Sequence, residues 1–176
     1  MASLTFSGWT TLSLQQSEGV FRNVDAVPNA GKLQEPLKSN GVLVPTVTGS
    51  FALAVNTTLV KPEDEPKSWH DLADPKWKGK LGVESKAEEW FSKVVSVMGE
   101  EKGLKYFRDL IAKNGMSARQ GASLLHNLVI AGEIPLAMTI YIDLPEKDKR
   151  AGKPVDWFVM DPVVAQGFNV AIAQKA

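Results

Sequence analysis

The residues from Pro135 to Ile142 form an almost unbroken apolar run, interrupted only by Thr139 and Tyr141. A strand with one wet face alternates apolar and polar residues. An unbroken run fits a strand covered on both faces, as in a parallel sheet flanked by helices. Three helical segments precede it. Ser85 and Glu88 have capping-box spacing, and Trp90, Phe91, Val94, Val95 and Met98 follow at helical spacing until Gly99. A second helix is expected from about Glu101 to Lys113, with Leu104, Phe107, Leu110 and Ile111 on one face and Asn114-Gly115 as its stop. A third, Gly121 to Ala131, carries Leu124, Leu125 and Leu128 and is closed by Gly132. Strands alternating with helices specify an α/β fold with a mostly parallel sheet.

The stretch Pro66 to Val83 supplies the entry to that region. Ser68 and Asp71 form a variant capping box, which predicts a short helical turn over Trp69 to Ala73. Asp74-Pro75 stops it, because a residue before proline avoids helical geometry. Leu81 to Val83 then reads as a strand, and Trp69 and Trp77 are expected to cover the core. Elsewhere, Leu4 to Ser7 reads as a strand and Thr10 to Gln16 as a helix. Residues 22 to 46, with three prolines and two glycines, read as irregular, and Thr48-Gly49-Ser50 as a turn. Phe51 to Val55 is a strand closed by Asn56, and residues 61 to 67 form a solvated connector. Lys147 to Ala151 reads as a short helix, and Val155 to Met160 and Phe168 to Ala173 as two further strands.

Composition excludes several classes. With 20 basic and 20 acidic residues the formal net charge is zero, which argues against a nucleic-acid or anionic-membrane footprint. No cysteine is present, so disulfide and thiolate chemistry are absent. No run is long and apolar enough to span a bilayer. Met1 to Thr5 lacks the basic start and apolar core of a signal peptide. A chain of 176 residues can bury roughly 70% of its unfolded surface, enough for a sizeable core.

Catalysis and cofactors find no support. His70 and His126 are far apart in sequence with no metal-ligand spacing, and no metal site is expected. Neither a nucleophile elbow nor a phosphate-cradling Gly-rich loop is present. Binding signals are better. Ser85, Lys86 and Ala87 follow a strand and open a helix, where free backbone N–H groups and a positive dipole end favour an anion; Glu88 can cap the same groups. Arg119, Gln120 and Gly121 stand at a second helix start, and Arg119 suits bidentate recognition of a carboxylate or phosphate. Thr139 and Tyr141 lie at the end of the apolar strand, where ligands of open α/β sheets gather.

The string Pro66-Lys-Ser-Trp-His-Asp-Leu-Ala-Asp-Pro-Lys-Trp-Lys-Gly-Lys-Leu-Gly-Val83 resembles a segment of the periplasmic solute-binding proteins of ABC importers, in the branch that includes the ferric-ion-binding proteins. The likeness extends to Phe51-Ala-Leu-Ala-Val-Asn-Thr57 and to Ala131-Gly-Glu-Ile-Pro-Leu-Ala137, and more weakly over nearly the whole chain. It implies a type II periplasmic-binding-protein-like α/β fold in a shortened or fragmentary member. Residues 1–46 would be a partial first lobe, 47–143 a nearly complete second lobe, and 144–176 a return to the first. It further implies an ion or small-molecule ligand bound between lobes, an ABC permease as partner, and a periplasmic or extracellular location.

The ferric-binding relatives carry Ser-Gly-Ala at the place of Ser85-Lys86-Ala87, where it holds an anion, and two adjacent tyrosines near Tyr141. Lys86 departs from the glycine. Tyr141 is single, so a paired-phenolate iron site is not expected. The different-class alternative is a truncated lobe acting as a self-associating or interaction module without a transport role. Because the first lobe would be incomplete, a homodimer through the terminal segments is also expected, with Phe6, Trp9, Phe158 and Val170 lacking their usual cover.

Overall fold

The computed structural model describes residues 4–8, 19–25, 29, 32, 35 and 38–174, with the backbone alone for 4–8. The helix expected over Thr10 to Gln16 and the packing expected of Phe6 and Trp9 lie outside the described residues. The strands are β1 (Leu4–Gly8), β2 (Val44–Asn56), β3 (Leu81–Glu84), β4 (Ser117–Arg119), β5 (Leu136–Tyr141), β6 (Val155–Phe158) and β7 (Ala165–Ile172). The helices are α1 (Glu88–Met98), α2 (Glu100–Asn114), α3 (Ala122–Ile130) and α4 (Asp143–Arg150). Short 3-10 turns cover Pro62–Asp64, Trp69–Ala73 and Pro75–Trp77.

These elements form two compact units, residues 1–49 with 165–176, and residues 50–164. In the first unit β1 runs antiparallel to β7, with Leu4 opposite Ile172 and Gly8 opposite Phe168. On its other side β7 neighbours β2, where Thr46 Oγ1 donates to the Phe168 carbonyl at 3.0 Å. Phe21, Leu43 and Ala171 make a small core. The turn expected at Thr48-Gly49-Ser50 is not formed, because β2 runs straight through it. The Ser50 carbonyl accepts from Ile142 N–H at 3.1 Å and Phe51 N–H donates to the Val164 carbonyl at 2.8 Å, so this backbone is held extended.

The second unit contains the sheet order β2-β5-β3-β4, with β6 on β2. β3 is parallel to β4 and β5, whereas β2 is antiparallel to β5 and β6. Helices cover both faces, as the apolar run of β5 requires. One face packs Trp69, Leu72, Trp77, Leu81, Trp90 and Phe107 around α1 and α2. The other packs Ala54, Leu125, Val129, Ala137 and Ile140 against α3. Residues 144–164, containing most of α4 and all of β6, lie in this unit.

A β-bulge interrupts the pairing of β2 with β5. Ala52 faces Ile140 and Ala54 faces Ala137, so Leu53 alone stands opposite Met138 and Thr139. Such an insertion reverses which face the following residues occupy. Before it, Leu136 and Met138 belong to the α1–α2 core; after it, Ile140 joins the α3 core and Tyr141 packs on the first.

Two glycines permit close approach. A Cβ on Gly82 would come within 2.9 Å of Leu125 Cδ1 and 2.8 Å of Ile134 Cγ2, so β3 needs glycine beneath α3. A Cβ on Gly103 would sit 2.8 Å from Val95 Cα and 2.9 Å from its carbonyl oxygen, where backbone faces backbone between α2 and α1. Gly103→Ala is therefore expected to destabilise the unit by about 1–3 kcal/mol through overpacking, although alanine favours the helix itself by about 1 kcal/mol. Urea unfolding checks this, and a midpoint equal to wild type would show the helices free to separate.

Local sequence explains the remaining boundaries. Ser68 N–H donates to Asp71 Oδ2 at 2.9 Å, the capping box expected at the first tryptophan turn. Asp74-Pro75 ends that turn and also starts the next, with Asp74 Oδ1 accepting from Lys76 N–H at 2.8 Å. α4 starts at Asp143, earlier than the expected Lys147, because an acidic residue and a proline suit a first helical turn.

Candidate functional site

In the second unit the parallel strands β3, β4 and β5 end along one sheet edge, at Glu84, Arg119 and Tyr141. Glu84 is the residue the other groups meet. It is the last residue of β3 and pairs with Arg119 of β4. Its backbone N–H donates to Thr139 Oγ1 at 2.7 Å, and Thr139 is fully buried at the bulge. Its carboxylate reaches two loops: Oε2 accepts from Lys86 N–H at 2.8 Å and Oε1 from Gly121 N–H at 3.1 Å. Gly121 is the N-cap of α3 and has no side chain to cap that helix, so Glu84 also supplies negative charge at its positive end.

The eight sequence candidates divide around this carboxylate. Lys86, Gly121 and Thr139 bond Glu84 directly. Ser85 does not cap α1, contrary to expectation. The ladder of β3 with β4 continues one step further, Ser85 N–H donates to the Arg119 carbonyl at 2.9 Å, and α1 starts at Glu88 with Ala87 as N-cap. Arg119 is exposed, and its Nη1 donates to the Ala118 carbonyl at 2.9 Å. Gln120 is exposed beside it. Tyr141 stacks on Phe51 with ring centroids 4.6 Å apart.

Beside this edge lies a cleft of about 320 Å³. Ser85 and Ala87 stand at its rim, and Trp90, Phe91, Ile111 and Met116 supply apolar walls. Phe91 and Ile111, expected in the helix cores, are 37% and 53% exposed. Their helical stripes are wider than the core, and the surplus lines this cleft.

Glu84 is the residue that sequence reasoning missed. The available signal was a carboxylate at the last strand position, followed at once by the loop that leads into a helix. His126, expected to stand alone, is paired: its Nε2 lies 2.9 Å from Asp148 Oδ2, and Lys153 Nζ lies 2.9 Å from Asp148 Oδ1. The Lys153 and His126 hydrogen bonds hold the Asp148 carboxyl below the usual carboxylate range. The pair ties α3 to α4. Among the described residues, no cluster of three or more His, Cys, Asp or Glu could hold a metal ion.

Burial pushes the Tyr141 phenol up, with the Glu89, Glu84 and Asp143 charges adding to the shift. Tyr106, whose hydroxyl donates to the Trp69 carbonyl, is pushed up further, by burial and then by the Asp71 charge. These are the chain's two tyrosines. In the unfolded chain both release protons near the ordinary value of 10.0, before the folded chain does. Their contribution to stability is therefore complete below that pH and is lost as pH rises through the folded values. Absorbance at wavelengths where phenolate absorbs is expected to show both groups still protonated where free tyrosine is half ionised; coincidence of the folded and unfolded titrations would contradict this.

Comparison with known proteins identifies a family and a shared fold. The sequence profile of the bacterial extracellular solute-binding protein family matches residues 6–164. Iron uptake protein A1 of Synechocystis is 26% identical over 148 residues, which span 80% of this chain and 41% of that protein. Iron-bound HitA of Pseudomonas aeruginosa superposes with a TM-score of 0.79 at 21% identity, covering 98% of this chain and 59% of that one. The periplasmic binding protein AfuA of Actinobacillus pleuropneumoniae, with fructose-6-phosphate bound, gives 0.81 at 20% identity, covering 100% and 59%. The chain thus spans less than two thirds of the length of each of these three proteins.

Proposed function

Because the chain belongs to the bacterial extracellular solute-binding protein family, we propose that it serves an ABC importer as a solute receptor, taking its solute at the carboxyl edge of β3, β4 and β5. The observation that carries this reading is the convergence of two helix-opening loops and a strand end on that edge, around Glu84. Ligands of open α/β sheets bind outside the carboxyl ends of the strands. Ser85, Lys86, Ala87, Arg119, Gln120, Gly121 and Tyr141 are the proposed contacts; Thr139, fully buried, holds the Glu84 backbone in place instead of meeting solute. The role is binding and release to a membrane permease, outside the cytoplasm, and it calls for no catalytic group.

Relatives that carry iron and fructose-6-phosphate leave the solute open. Tyr141 is followed by Ile142, not a second tyrosine, and burial pushes its phenol up, so tight ferric binding through paired phenolates is not proposed. Melting temperature measured against ferric citrate, phosphate, sugar phosphates, dicarboxylates and polyamines tests the reading. At least one class is expected to raise it, and Tyr141→Phe is expected to shrink the rise, while Val97→Ser, on the exposed face of α1, leaves it intact. A flat response across the panel at millimolar solute would sink the receptor reading. A visible tyrosinate-to-iron band lost in Tyr141→Phe would overturn the statement about iron.

A further inference from the structure

The loops at the carboxyl edge aim two backbone N–H groups, from Lys86 and Gly121, at one point, and that point is already filled by a carboxylate of the chain itself. Converging N–H groups at a helix start are the means by which proteins hold phosphate and carboxylate. Glu84 meets both requirements of such a guest, with one oxygen on each amide at 2.8 and 3.1 Å. The backbone that presents this carboxylate is fixed, because the Glu84 N–H donates at 2.7 Å to Thr139, a fully buried side chain. The neighbouring backbone is fixed as well, by Ser85 N–H on the Arg119 carbonyl at 2.9 Å.

Resting on the receptor reading above, we infer that Glu84 determines which solutes this edge accepts: its carboxylate is a built-in anion that fills the Lys86–Gly121 amide cradle, so the edge rejects phosphate- and carboxylate-bearing solutes there and favours neutral or cationic ones. Charge works in the same direction as occupancy. Glu89 and Asp143 join Glu84 in raising the Tyr141 phenol, so the Tyr141 end of this edge is negatively charged. The exposed Lys86 and Arg119 side chains are the opposing cations. They lie outside the cradle's hydrogen bonds, which come from backbone N–H groups.

The test is titration of the whole chain with inorganic phosphate, followed at the backbone amide resonances of Lys86 and Gly121. Wild type is expected to show no saturable shift at these two amides. Glu84→Ala is expected to show one, with phosphate bound at least about tenfold more tightly than by wild type. Glu84→Gln keeps the shape and removes the charge; it carries the test if the alanine variant does not fold, and is expected to gain phosphate binding at the same amides. Saturable phosphate binding there by wild type, as tight as by the variants, overturns the inference. So does a folded Glu84→Ala or Glu84→Gln protein that binds no phosphate at those amides. A flat solute panel together with the expected gain in the variants would remove the receptor reading and leave the role of Glu84 in the cradle standing.

Discussion

Trp77→Ala is expected to destabilise the second unit by about 3–5 kcal/mol, the range for deleting a large aromatic side chain from a core. Trp77 is 2% exposed and belongs to the core between the sheet and helices α1 and α2. Its position follows from the Asp74-Pro75 turn, which directs the second 3-10 turn inward. Its indole N–H is buried with no partner among the described residues. Because an unpaired buried donor itself costs about 1–3 kcal/mol, the loss should fall toward the lower end of that range. Trp77→Phe, which removes the donor and keeps most of the ring, should cost clearly less than the alanine change. Urea unfolding of the three proteins, compared by midpoint and slope, checks both statements. A loss under about 1 kcal/mol for alanine would place the ring on the surface.

The second large effect concerns Asn114, at the end of α2. It is 3% exposed, and its Nδ2 donates to the carbonyls of Leu72 at 2.7 Å and Asp74 at 2.9 Å. Those carbonyls end the first tryptophan turn, so Asn114 fastens that turn to the helix. Asn114→Ala removes both bonds at once and strands buried acceptors, at about 1–3 kcal/mol for each group left unsatisfied. The total is expected at about 2–4 kcal/mol, since Asp74 lies near solvent and water can replace part of its bond. Asn114→Asp would fare no better, because a carboxylate offers no donor to either carbonyl. Thermal unfolding of both variants reads the effect, and an alanine protein within about 0.5 kcal/mol of wild type would show the fastening to be dispensable.

Elements fixed by local chemistry were legible in the sequence. The run at Pro135 to Ile142 became β5, Gly99 and Asn114-Gly115 stopped their helices, and the Ser68–Asp71 cap formed as its spacing required. What escaped depended on partners distant in the chain. Thr48-Gly49-Ser50 has the composition of a turn, but bonds to Ile142 and Val164 keep it extended. His126 looks solitary until Asp148 arrives on another helix. The candidate site shows the same division. The loop at Lys86 and the helix cap at Gly121 are visible in sequence, because strand, turn and helix punctuation is local. That one carboxylate ties both together is not visible, because it depends on the parallel register that sets Glu84 beside Arg119 and Thr139.

The bulge in β5 has a bearing on how this chain can vary. It acts as a phase shift in a two-step alternation. Exchange of one apolar residue for another between Leu136 and Tyr141 leaves that phase alone. Loss of a single residue there would cancel it, turning Tyr141 toward the opposite face and carrying the start of α4 with it. The orientation of Tyr141 is thus encoded by counting along the chain. It should tolerate drift in composition and be broken by the shortest insertion or deletion.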